Sequence, residues 1–317
     1  MLNRRILRVK LFKTLYSYAE DPAMTLKEAQ AQLNASCEAT RELYLYMLAV
    51  IAPLTSLASD ITEQLRSKNN PTPEERNPNM KFVNNGIAKI LAGDIDFNKI
   101  LAKKKFSWEN NDAFLHNLYK SITSRDYYRT YMNSGEQSLK EDAALWVKIF
   151  EEEFSGNAEC EAILEEYSMH WVDDLEYALT YCCKTLKALG KGDAWSLPML
   201  YQSDNSEGAE SDKDFINKVL AKAYFKFQDY YDMMASSVSG WEKDRLFVSD
   251  VVLVSCGLAE AECFPELSVK VTINEYVEIS KFFGTPSSRS FVNGILNNLI
   301  HKLMDEGVIV KKGAGLL

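Results

Sequence analysis

The chain reads as an all-α protein. Apolar residues recur three and four apart along most of its length, hairpin turn signals between β-rich runs are missing, and polar, proline-bearing breaks separate the periodic stretches. The first element is a helix through Leu11, Phe12, Leu15 and Tyr16, preceded by Arg4, Arg5 and Arg8. Residues 42–61 then set Leu43, Tyr46, Met47, Val50, Leu54 and Leu57 on one helical face. A proline-rich polar connector follows at 68–78, and helical spacing returns at 142–154 and 173–189. Residues 202–212 are polar, small and nearly free of apolar side chains, which predicts a domain boundary. Periodicity resumes at 214–237 and 244–262. Thr272 and Glu275 stand at capping-box spacing and predict a helix start there. A tight polar turn at 284–288 precedes the last helix, with Thr285 ahead of Pro286 as its predicted start.

At 317 residues the chain has room for one large or two ordinary domains. No run approaches the ~18 consecutive apolar residues of a membrane span. The basic N-terminus lacks the apolar core and cleavage site of a signal peptide. A soluble cytoplasmic protein with no membrane contact is expected. The six cysteines form no Cys-x-x-Cys pair and fall mostly in apolar helical surroundings, as buried reduced thiols do.

The net charge of −9 argues against non-specific coating of nucleic acid. The charge is uneven, however. Residues 136–176 carry a net −11, whereas residues 1–13 hold Arg4, Arg5, Arg8, Lys10 and Lys13 and no acid. Any nucleic-acid contact should therefore be local. A faint repeat at an offset of 70 residues aligns Asp142, Leu145, Ile149, Phe150, Trp171 and Asp174 with Asp212, Phe215, Val219, Leu220, Trp241 and Asp244. It reads either as a diverged duplication or as the ordinary likeness of amphipathic helices.

Signs of catalysis are scarce. No Gly-x-Gly-x-x-Gly is present, His116, His170 and His301 lie far apart, and Glu151, Glu152 and Glu153 fan around a helix as a solvated face. No enzyme activity, metal or cofactor is expected. Binding features are clearer. On a straight helix Arg4 and Arg8 share the stripe of Leu11 and Leu15, and burying both unpaired would cost several kcal/mol. The first residues are therefore expected to project past the core as a basic arm, the bland alternative being a frayed terminus. Ser287, Ser288 and Arg289 offer donors to phosphate or base edges. Phe291 is either a core ring or a platform for an unpaired base.

These motifs resemble one family closely. Residues 269–283 and the Phe-Val-Asn-Gly of Phe291–294 resemble the C-terminal region of the NusB family of bacterial transcription antitermination factors. Arg4, Arg5 and Arg8 followed by Leu15 and Tyr16 resemble the family's arm and first helix. The resemblance implies an all-helical pair of small bundles, spread here over 1–20 and 206–317, with a helical insert at 21–205. It also implies binding of the boxA element of ribosomal RNA transcripts together with NusE, a small-subunit ribosomal protein. The assembly helps RNA polymerase resist termination. By matching position, Arg4, Arg5, Arg8, Tyr16 and Phe291 fall on the RNA side, and Asp250 on the NusE side. Leu7 replaces the family's alanine, and Ser287 an acid, which puts RNA affinity or sequence preference in question. The insert reads as a docking surface or a buttress. A NusB-like domain also precedes the catalytic domain of ribosomal RNA cytosine methyltransferases, but here the resemblance runs nearly to the end of the chain. The alternative function is an interaction scaffold that has lost RNA binding.

Overall fold

A computed structural model describes residues 1–201, 211–238 and 246–316, and every regular element among them is helical. In chain order these are α1 (Arg4–Glu20), α2 (Leu26–Leu48), α3 (Ile51–Arg66), α4 (Pro73–Arg76), α5 (Gly86–Gly93), α6 (Ile95–Lys104), α7 (Asp112–Ser124) and α8 (Asp126–Asn133). They continue as α9 (Leu139–Ile149), α10 (Ala158–Tyr167), α11 (Leu175–Leu189), α12 (Asp212–Phe225), α13 (Phe227–Ser237), α14 (Val248–Cys263), α15 (Val269–Phe283) and α16 (Ser288–Asp305). Most of the 202–212 connector lies outside the described residues, as do Trp241 and Asp244 of the proposed repeat.

The chain divides into two compact units. One comprises Met1–Cys37 and Met199–Leu317, the other Glu38–Pro198. Residues 21–37, read from the sequence as part of the insert, thus belong with both termini. Gln32 donates to the Ser17 hydroxyl at 3.1 Å, and the Tyr224 hydroxyl to the Met24 carbonyl at 2.9 Å. Contacts of this kind join elements far apart in sequence and leave no local pattern.

The unit of both termini is organised around α14, whose residues from Asp250 to Ala261 are all buried. A helix apolar on every side has no solvent face and must be central. Gly257 lets α16 approach, since a Cβ there would lie 2.7 Å from Leu296 Cδ2. Residues 269–271 are already helical, so α15 starts ahead of the expected capping box. Thr272 and Glu275 make tertiary bonds instead of capping. The last helix likewise starts at Ser288, beyond Pro286.

The other unit has an aromatic core. Trp108 stacks on Tyr46 at 4.5 Å and donates its indole N–H to the Tyr46 carbonyl at 2.8 Å. Trp146 lies 5.5 Å from Phe82 and donates to Asn85 at 3.0 Å. The single helix expected over 42–61 is two helices, broken at Ala49 and Val50. Pro53, in the first turn of α3, has no N–H for the preceding turn, so a continuous helix would lose a bond there. The stretch Leu26–Arg66 is long and apolar enough by composition to cross a membrane, but residues 43–51 within it are buried as a core helix is. The connector at 68–78 holds the short α4, closed by a capping box between Thr72 and Glu75. Of the acidic run, Glu151 and Glu152 are exposed. Glu153 departs from the expected solvated face: it is buried and accepts from Ser121, Arg125 and Tyr127 at 2.7, 2.6 and 3.0 Å. A π-helical turn at Phe150–Phe154 carries it.

Candidate nucleic-acid interface

The first helix begins at Arg4, with the Asn3 side chain accepting from the Ile6 N–H. Leu7, Leu11 and Leu15 form its buried stripe. Arg8 lies on that stripe and is buried too, so the expected arm does not project past the core. Pairing resolves the conflict seen in the sequence. Arg8 donates through Nε and Nη2 to the two oxygens of Glu260 on α14, at 2.7 and 2.9 Å. The same carboxylate accepts from Thr272 at 2.9 Å and Tyr276 at 3.1 Å, both on α15. Glu260 is fully buried, and these four bonds occupy its acceptor sites. Burial pulls the Arg8 pKa down, but the bonds to Glu260 outweigh it and leave the pKa raised, so the guanidinium stays charged. Burial, and then the charge of Glu260, push the Tyr276 hydroxyl well above its usual range and keep it a donor. The residues before α1 are tied down as well. The Leu2 N–H donates to the Leu200 carbonyl at 2.8 Å, and the terminal amine to the Met199 carbonyl.

Arg4 and Arg5 remain at the surface, their side chains 47% and 55% exposed. Each is held by a carboxylate. Arg4 Nε donates to Asp212 at 3.1 Å, its guanidinium 4.7 Å from the Phe215 ring centre. Arg5 grips Glu275 with two bonds, at 3.0 and 2.7 Å, and these bonds hold the Glu275 carboxyl below its usual range. The forked pair fixes the plane of the Arg5 guanidinium, whereas Arg4 is held by one bond and the Phe215 ring.

Further along α1, Tyr16 is exposed and its ring lies 6.0 Å from Phe12. Phe12 packs on Phe283 of α15 at 5.2 Å, and the Lys13 ammonium stands 5.5 Å from that same ring. The turn into α16 is pinned by Ser288, whose hydroxyl accepts from the Thr285 N–H at 2.8 Å. A side chain at Gly284 would fall 2.5 Å from Ser288 Cβ, so only glycine closes this turn. Ser287 and Arg289 are exposed there, and Phe291 is half-buried.

Asp250 is not presented at the surface. Its side chain, in the first turn of α14, is 4% exposed, and Oδ1 meets no hydrogen-bond partner among the described residues. Burial raises its pKa, and a hydrogen bond with Ser288 opposes the rise. In the same unit, Tyr18, Pro22, Phe227, Tyr231, Val248 and Val251 line an apolar cavity of about 400 Å³. No group of metal-ligating side chains occurs among the described residues. Sequence reasoning missed the carboxylates Asp212, Glu260 and Glu275 as partners of the arginines. Only their opposite charge could have pointed to them.

This unit is thus a helical bundle whose first helix displays anchored arginines beside aromatic rings. Residues 181–301 match the NusB family. The chain is 35% identical over 105 residues to the transcription antitermination protein NusB of Chloroherpeton thalassium, spanning 33% of this chain and half of that protein. It is 32% identical over 103 residues to the protein of the same name from Lachnoclostridium phytofermentans, spanning 78% of it. The likeness to that of Dictyoglomus thermophilum is 30% over 126 residues, 88% of that protein. No solved structure matches. The chain belongs to the NusB family, in a form longer than the stretch that matches it.

Proposed function

We propose that the protein is a cytoplasmic RNA-binding antitermination factor that takes boxA-like RNA of ribosomal transcripts, jointly with the ribosomal protein NusE, into an RNA polymerase complex. The observation that carries this reading is the acid-free stretch 1–13 at the start of the first helix, with Arg4 and Arg5 half-exposed and oriented by carboxylates. Tyr16, Arg289 and Phe291 supply rings and a further cation for unpaired bases and phosphate. Arg8 contributes by holding α1 against α14. On the protein side, the apolar cavity lined in part by Val248 and Val251 of α14 suits a partner's apolar side chain.

The test is binding of a labelled boxA-like RNA at several salt concentrations. An R4A/R5A variant is expected to bind more weakly, with the log–log salt slope shallower by about one unit per lost contact. Equal affinity and slope for variant and parent would remove these arginines from the interface. No binding by the parent, with NusE still captured, would favour the scaffold reading.

A further inference from the structure

We infer that Phe282 is a stacking platform for an unpaired base, carrying the RNA surface beyond Phe291 along the outer face of α15; this rests on the RNA-binding reading above. Phe282 is 81% exposed, the highest value for a large apolar side chain among the described residues. It stands in the last turn of α15, on the helical face shared by Glu275 and Glu278 three and four residues apart. Arg5 bonds Glu275 on this face. Both Arg5 and Arg289 lie close enough to Glu278 to help hold its carboxyl below the usual range, behind the larger effect of its bond to Lys281. Cations of α1 and α16 therefore flank the face that carries the ring.

The neighbouring residue reinforces the assignment. Phe283 packs inward on Phe12 beneath the Lys13 ammonium, which anchors the turn and leaves the Phe282 ring facing water. A single exposed ring is common on any surface, so its surroundings decide the occupant. An apolar protein contact would call for further apolar side chains around it. Here Glu278, one turn back, pairs with the adjacent Lys281 at 2.5 Å, and Arg289 follows the next turn. A ring whose neighbouring acids are paired with Arg5 and Lys281, with Arg289 close by, fits a base with its phosphates, because stacking uses the π-face and the backbone uses the charge.

Three substitutions in the full chain test this, read by fluorescence anisotropy with a labelled single-stranded boxA-like RNA. F282A is expected to weaken binding by roughly 5- to 100-fold, the span of one stacked base, with an unchanged melting temperature. F282W is expected to match or exceed the parent, and F282L to bind as weakly as F282A. Replacing successive nucleotides with abasic ones should reveal one position where the parent loses affinity and F282A does not. Parent-like binding by F282A overturns the inference while leaving the function intact, and full recovery by F282L overturns stacking. A change confined to self-association in sedimentation would assign the ring to a second copy instead. Absence of RNA binding by the parent overturns this inference and the function together.

Discussion

The Arg8–Glu260 pair shows how one buried contact sets the meaning of a whole motif. Removing Arg8 would leave Glu260 buried, charged and half-satisfied. R8A is therefore expected to lose about 3–5 kcal/mol of stability, seen as a large fall in denaturant midpoint. Loss of RNA binding in a variant lacking all three arginines would then report unfolding, which is why R4A/R5A is the informative pair. A parent-like midpoint for R8A would show that the pair contributes little. Asp250 makes a different prediction through pH. Its pKa is raised in the folded state, so the fold holds that proton more tightly than the unfolded chain does. Stability from this residue falls as pH rises from the ordinary aspartate value of about 3.9 through the raised one. D250N is expected to melt above the parent at pH 7, with the gap closing near pH 3. A constant gap across that range would mean that the carboxylate's ionisation is not the cause.

Among the elements, α14 is the one on which the unit depends. Gly257 faces Leu296 and Tyr276, both fully buried and without room to retreat. G257A is expected to cost about 1–3 kcal/mol by overpacking. A helix-propensity gain of up to about 1 kcal/mol offsets part of this, so thermal unfolding should show a net decrease. A rise in melting temperature would mean that α16 yields. Legibility from sequence also varies by element. The apolar run of α14 announces a central helix, because no local alternative buries it. Thr272 and Glu275 carry a capping-box spacing that the chain uses otherwise: a partner across the bundle outcompetes a local cap when the site is buried. The break at Ala49 and Val50 was signalled only by Pro53, which a helix tolerates in its first turn and so does not by itself mark a boundary.

For the molecule as a whole, the two units make a prediction about proteolysis. Residues 80–195 contain four tryptophans that are all buried, as a packed body requires. Within Glu38–Pro198, trypsin is expected to cut first at Lys68 or Arg76, in the exposed stretch around the short α4. Early cleavage spread over 80–195 would contradict a compact unit. What the sequence determined by itself was the all-helical class, the family and the residues carrying charge and rings, because periodicity and residue type are local properties. Only the tertiary structure decided that Arg8 is buried while Arg4 and Arg5 are displayed, that Asp250 is enclosed, and that residues 21–37 join the termini. Each depends on a partner far away in the chain, such as Glu260 for Arg8 or Ser288 for Asp250. Pairing across such distances is settled by packing, and spacing along the sequence does not record it.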